Sequence, residues 1–253
     1  MDPIIELHDV SKKYGAFDAL RSINLQVVPG EVTCVLGDNG AGKSTLIKIL
    51  AGLHPHTSGT MLVDATPTHF TSPADALAAG IATVYQDLAV VGQMSVWRNF
   101  FLGQEISNRW GLINEGKMKR IAAAELERMG IVIPDIDAPV SSLSGGQRQV
   151  VAIARAIYFG ARVVILDEPT AALGVKQSGM VLKFIAKARE QGTAVIFITH
   201  NPKHALLVGD RFVVLTLGKQ TLQARREDVD VDTLTLEMSG GGELDALQHE
   251  LQR

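Results

Sequence analysis

The chain has 253 residues, with 24 Lys+Arg against 27 Asp+Glu and a net charge of −3, a balance that excludes the strongly basic face of a typical nucleic-acid binder. With 46% apolar residues it can fill an ordinary core, and its uninterrupted apolar runs, such as 163–166 and 194–198, fall far below the ~18 residues that span a bilayer. The one cysteine, Cys34, excludes an internal disulfide or a cysteine-rich zinc site, and residues 1–6 show no basic, apolar leader, so a reducing cytoplasm is the expected location.

In the first thirty residues, Ile5 and Leu7 and then Ile23, Leu25 and Val27 recur at period two, which predicts half-buried antiparallel strands. Residues 31–36 read as a short buried strand entering a glycine-rich turn. A helix carrying Leu46, Ile47, Ile49 and Leu50 follows and stops near Gly52. Short strands are expected around 60–64 and 81–85, with Ser72 or Pro73 opening a helix through 74–79. Residues 92–142 change character: they hold Met94, Trp97, the Phe100-Phe101 pair and Trp110, then a charged run with helical spacing from Lys117 to Met129. This predicts a mostly helical subdomain inserted into an α/β frame, reaching about residue 160 with the helix at 147–159. The frame resumes with strand 162–166, helix 175–190, strand 194–198, a short helix near 203–208 and a hairpin over 211–223. Strands alternating with helices imply a mostly parallel sheet covered on both faces. Gly240-Gly241-Gly242 reads as a flexible joint before Leu244, Leu247 and Leu251, a weak amphipathic stripe. The main domain is therefore expected over 4–239, with the joint and a short terminal helix over 240–253.

Gly37-Asp38-Asn39-Gly40-Ala41-Gly42-Lys43-Ser44 fits G-x-x-x-x-G-K-[ST] between a predicted strand and a predicted helix. The glycines let backbone N–H groups turn inward around phosphate oxygens, and the helix start adds its positive dipole end. Lys43 then reaches the β- and γ-phosphates, and Ser44 offers a hydroxyl to Mg²⁺. A loop of this kind needs a carboxylate for the metal, and the apolar strand 163–166 runs into Asp167 and Glu168. Asp167 is expected to hold Mg²⁺ directly or through water, and Glu168 to orient and deprotonate an attacking water. The bland alternative for this pair is a cap before the turn at Pro169. Leu143-Ser144-Gly145-Gly146-Gln147 precedes another helix; Ser144 caps it, and the glycines leave N–H groups open for a second anion, although plain capping explains the pattern equally well.

The order of these patterns, with Ser144 at 144 − 43 = 101 residues after Lys43, Asp167 a further 167 − 144 = 23 on, and His200 beyond the next strand, resembles the ATP-binding cassette (ABC) ATPases over about residues 4–223. The resemblance implies a P-loop NTPase core with an N-terminal antiparallel β subdomain and an inserted α-helical subdomain. It also implies roles by position. Gly37 to Thr45 would bind ATP, with Tyr14 stacking on adenine. Gln86 would touch the metal or its water, joining Ser44 and Asp167 around Mg²⁺, and His200 would meet the γ-phosphate. Leu143, Ser144, Gly145, Gly146 and Gln147 would complete the ATP site of a second copy, so two chains arranged head to tail are expected. His200 and His204 are four apart, but Pro202 argues against a metal pair on one continuous helix. One departure stands out: where the family carries an Asp, this chain has Gly174, which removes a contact across the pair.

Residues 72–81, 85–88 and 167–175 look like the importers of simple sugars, the ribose, xylose and fructose branch, here as a single cassette; the same branch also handles nucleosides and other small polar solutes, which stay open as cargo. The branch implies transmembrane permease subunits, a periplasmic sugar-binding protein and a peripheral position on the cytoplasmic face of the inner membrane, with no nucleic acid. A permease helix would dock near residues 87–105, where Val90, Val91, Met94, Val96, Trp97, Phe100 and Phe101 exceed what a solvated surface needs, although they also suit the insert's own core. The rival class is the nucleotide-gated switch of translation or DNA repair. Its paired cassettes, coiled-coil inserts and zinc-bearing inserts have no counterpart in the 167 − 43 = 124 residues between Lys43 and Asp167.

Overall fold

A computed structural model describes residues 2–131 and 133–240 of the chain. Alternation builds its first layer. In Ile5–Tyr14 (β1) and Phe17–Val27 (β2), Ile5, Leu7, Val10, Leu20, Ile23, Leu25 and Val27 are buried while most of the residues between them are exposed or half-buried, and the two strands pair antiparallel. Val32–Leu36 (β3) is buried at every position and delivers the chain to Lys43–Leu50 (α1), which ends at Ala51 with Gly52 in the left-handed region. Ser58–Val63 (β4) and Thr66–Pro67 (β5) add antiparallel strands beside β1. Pro73–Ala78 (α2) opens on a complete Ser72/Asp75 capping box and leads into Ile81–Val84 (β6).

Val96–Phe101 (α3), Glu115–Arg128 (α4) and Gly145–Tyr158 (α5) follow as a helical group, with α3 and α4 both packed on α5. The parallel frame then returns through Val163–Asp167 (β7), Val175–Glu190 (α6), Ala194–Thr199 (β8) and Pro202–Val208 (α7), and closes with the antiparallel pair Arg211–Thr216 (β9) and Lys219–Arg225 (β10). The strand order is β5-β4-β1-β2-β10-β9-β3-β8-β7-β6, parallel from β9 through β3, β8 and β7 to β6. The fold is thus the mixed α/β architecture expected of the chain.

Two apolar cores explain why the central strands read as unbroken apolar runs. Val164 and Leu166 of β7 with Val195 and Phe197 of β8 point to the side of α5 and α6; Val163 and Ile165 with Ala194, Ile196 and Ile198 point to the side of α1. A strand buried on both faces loses its polar alternation. Of the two readings of the apolar stretch after residue 87, the insert's own core holds for Val96, Trp97, Phe100 and Phe101, which are all buried, while Val91 and Trp110 are exposed. A further helix, Val231–Met238 (α8), capped by Asp230 and anchored by Leu234 against β9, was not expected from the sequence. The terminal helix expected over Leu244, Leu247 and Leu251 lies outside the described residues.

Candidate functional site

The loop after β3 turns on glycine backbone. Gly42 has φ 108°, and a Cβ there would sit 2.7 Å from Leu20 Cδ2, because β2 closes against the loop. Within the loop, the Asn39 N–H donates to the Asp38 carboxylate (2.8 Å) and the Ala41 N–H to the Asp38 carbonyl (3.1 Å). Helix α1 starts with Gly42 as its cap residue and no side chain accepting from its first N–H groups. Those donors and the positive end of the helix dipole border a cavity of about 430 Å³ lined by residues 38–45.

Lys43 is nearly buried, and its Nζ donates to the carbonyls of Gly37 (2.6 Å) and Asp38 (3.1 Å). Glu168 lies opposite, with Oε1 3.9 Å from Lys43 Nζ and Oε2 3.0 Å from His200 Nδ1. Glu168 takes a left-handed φ of 48° while its N–H donates to Ile198 O (3.0 Å), a conformation that costs about 1–3 kcal/mol. The β7 ladder thus runs one residue past Asp167 before the chain turns away. Asp167 is half-buried beside Glu168. Burial first, and then the neighbouring carboxylate, push its pKa up, against the pull of Lys43.

Ser44, Gln86, Asp167 and Glu168 line the same cavity. Hydroxyl, amide and carboxylate oxygens are the hard donors that suit Mg²⁺. Among the described residues no cluster of three His, Cys, Asp or Glu could hold a metal alone. This donor set therefore fits an ion that arrives with phosphate oxygens of its own.

Not every sequence-singled residue joins the cavity. Tyr14 stands edge-on to His54 (centroids 5.8 Å apart) with Lys12 Nζ 5.0 Å from its ring, and it is not among the cavity-lining residues; Phe17, 68% exposed, is. The strand pattern gave no signal for Phe17, which shares the period-two phase of the buried Ile23, Leu25 and Val27 yet is exposed. His204 bonds Thr170 Oγ1 through Nδ1 (3.0 Å) rather than pairing with His200. Residues 143–147 also lie outside the cavity. Ser144 Oγ accepts from Gln147 N (3.3 Å) and Gln147 Oε1 accepts from Ser144 N (2.9 Å), so the capping box on α5 is closed. The two glycines are needed for packing as well: a Cβ on Gly145 would lie 2.7 Å from Leu173 Cδ2, and one on Gly146 3.1 Å from Gln177 O.

A second concavity, about 330 Å³ and mostly apolar, opens between the sheet edge at β6 and helix α5. Of residues 87–105 only Ala89, Val90, Asn99 and Gln104 line it; the remaining wall includes Leu77, Tyr85, Val151, Arg155 and Phe159. Asn99 is fully buried. Its Oδ1 accepts from Val91 N (2.7 Å) and its Nδ2 donates to the carbonyls of Val91 (3.0 Å), Met94 (3.1 Å) and Ser95 (3.1 Å), which fixes the loop that follows Gln86. No helix among the described residues is long and apolar enough to cross a membrane.

Residues 20–171 match the family model for ABC transporters. The chain is 42% identical over 235 residues to the xylose/arabinose import ATP-binding protein of Sulfolobus acidocaldarius, covering 93% of each. It is 40% identical over 249 residues to the fructose import ATP-binding protein of Rhizobium meliloti, covering 96% of each. A ribose import ATP-binding protein of Burkholderia ambifaria matches at 40% over 240 residues, and the chain spans 47% of its length. Among solved structures, a cassette from Clostridium perfringens that is part of an ABC transporter complex superposes with a TM-score of 0.79 at 28% identity over 100% of both chains. A dimeric cassette bound to ADP and Pi in a post-hydrolysis state gives 0.71 at 26% identity, covering 88% of this chain and 98% of that one.

Proposed function

The chain belongs to the ABC transporter family of ATP-hydrolysing cassettes, and from that premise we propose that it drives import of a simple sugar through a permease, as one of two head-to-tail copies. The observation that carries the ATPase reading is the convergence of Lys43, Ser44, Gln86, Asp167 and Glu168 on one cavity. Residues 37–45 wrap the phosphates, with Lys43 exchanging its two loop carbonyls for β- and γ-phosphate oxygens. Ser44, Asp167 and Gln86 would hold Mg²⁺, which would supply charge neutralisation to the phosphates. Glu168 accepts the proton of the attacking water, and His200, already within hydrogen-bond reach, orients that carboxylate and meets the γ-phosphate. Tyr14 covers the adenine.

Residues 143–147 stand apart from their own chain's cavity, which supports their serving the ATP of a second copy, as does the dimeric state of the solved relative. Sugar as cargo rests on the xylose/arabinose, fructose and ribose import named for the relatives. The permease docks in the groove beside Gln86, a periplasmic sugar-binding protein delivers the cargo, and the chain sits peripherally on the cytoplasmic membrane face. Residues 4–239 act as the cassette, with the helical insert at about 92–160.

Glu168→Gln tests the core of this reading. Hydrolysis is expected to fall by about 10²–10⁴, while ATP-Mg²⁺ converts the chain to a dimer in sedimentation; a variant that stays monomeric at saturating ATP-Mg²⁺ counts against the head-to-tail pair.

A further inference from the structure

Three large apolar side chains stand exposed within four residues of the loop that enters α4: Trp110 at 73%, Leu112 at 65% and Ile113 at 53%. The loop backbone is fixed. Asn108 Oδ1 accepts from the N–H groups of Trp110 (2.8 Å) and Leu112 (3.1 Å), the Asn108 N–H donates to Leu112 O (2.8 Å), and Ser107 bridges to Ile113. None of the three side chains lines either cavity described above. A clustered apolar display of this kind, unlike singly scattered residues, marks a surface that meets a partner. The surrounding charge is mostly basic. The Arg109 guanidinium lies 5.0 Å from the centre of the Trp110 ring, and Lys117 and Arg120 follow on the first turns of α4. All three are exposed, and none has a carboxylate partner among the described residues. The acids in this stretch are already engaged: Glu115 pairs with Arg98 (3.4 Å), and Glu105 accepts from the Gly103 N–H (2.9 Å).

We propose that this loop binds an anionic lipid surface directly, with Trp110, Leu112 and Ile113 entering the headgroup region and Arg109, Lys117 and Arg120 meeting lipid phosphates. Charge complementarity and side-chain chemistry select this occupant. An indole joins a large apolar ring to a single N–H donor, a combination that settles at the boundary between headgroups and acyl chains. Leu112 and Ile113 add apolar area to the same contact, and each basic side chain near an anionic leaflet strengthens binding by roughly fivefold. Three apolar side chains give a reversible contact, far from the permanent insertion of a spanning helix. The proposal rests on the peripheral membrane position proposed above, but the contact itself needs only lipid. It therefore gives the chain a hold on the bilayer that is separate from any permease.

The test uses the full chain and protein-free vesicles, either of phosphatidylcholine alone or with one third phosphatidylglycerol, with binding read by co-sedimentation and by indole emission. The chain has two tryptophans, and Trp97 is buried with its Nε1 donating to Asp137 Oδ1 (3.0 Å), so a blue shift on adding vesicles reports Trp110. A blue shift is expected, with binding to the anionic vesicles at least about tenfold tighter than to the neutral ones. Trp110→Ala abolishes the shift and weakens sedimentation by about tenfold. Arg109→Glu combined with Lys117→Glu removes the preference for phosphatidylglycerol, and raised salt weakens it. Basal ATPase and melting temperature report that each variant is folded, since none of these residues lines the nucleotide cavity. Absence of binding to the anionic vesicles at low salt, equal binding to both vesicle types, or binding that survives Trp110→Ala overturns the proposal. A blue shift that requires permease in the vesicle assigns the loop to a protein partner and overturns it as well. ATP hydrolysis and ATP-dependent dimerisation are measured without lipid, so failure of the lipid contact is distinguishable from failure of the cassette reading.

Discussion

Helices α1 and α5 both begin beside glycines, and their first turns are completed differently. At α1 the cap residue is Gly42, no side chain accepts from the first N–H groups, and Lys43 donates to two loop carbonyls with the Glu168 carboxylate 3.9 Å away. At α5 Ser144 and Gln147 satisfy each other in a closed capping box. The first start is incomplete without an anion; the second is stable alone and has no local need of a ligand. An isolated chain is therefore expected to bind nucleotide through α1, and α5 to gain a ligand only when a second copy presents one. On the proposed head-to-tail pairing, this asymmetry would let each chain complete its own helix starts while supplying half of each ATP site.

The largest break in that comparison is Lys43→Met. It removes the ammonium that α1 offers to phosphate, and ATP affinity should fall by about 100-fold, or roughly 3 kcal/mol, from the loss of charge-assisted hydrogen bonds. Equilibrium binding of a fluorescent ATP analogue measures it; an unchanged affinity would mean that the loop backbone alone holds the nucleotide. Ser144→Ala addresses the other helix with a smaller effect. Opening the capping box should cost about 1 kcal/mol, or roughly 2–4 °C in melting temperature. Monomer ATP affinity should not change, because Ser144 is outside the cavity. In a Glu168→Gln background the same substitution should weaken the ATP-dependent dimer, and a monomer defect in ATP binding would show that the two helix starts are not independent.

The sequence was most legible where function and local conformation share the same residues. The glycines of 37–42, the apolar strand ending at Asp167 and the Ser144 cap each announce a backbone event within a few residues, and the structure places all three at element boundaries. It was least legible where partners are distant or the signal is brief. Asn99 accepts from Val91 N and donates to the carbonyls of Val91, Met94 and Ser95, a pattern with no composition signature. Trp97 and Phe100 suit a docking face as well as a core, and only packing against α4 and α5 decides for the core. The eight-residue helix α8 carries one fully buried side chain, Leu234, too little periodicity to stand out.

A third helix start gives the finest test. Helix α6 begins after Gly174, whose φ of −68° and ψ of 163° suit an N-cap, yet it has no side-chain cap; its last turn has Lys187 and Arg189 but its first turn has no acid. Gly174→Asp supplies both an acceptor for the free N–H groups and a negative charge at the positive end of the helix. No Cβ clash opposes it, since nothing lies within 4 Å of that position. Capping alone predicts a gain of a few tenths of a kcal/mol, a rise of about 1 °C, and unchanged ATPase per site. If steady-state ATPase instead changes severalfold while the melting temperature does not, the carboxylate acts across the pair, and the start of α6 belongs with α5 as a surface completed by the second copy rather than by its own chain.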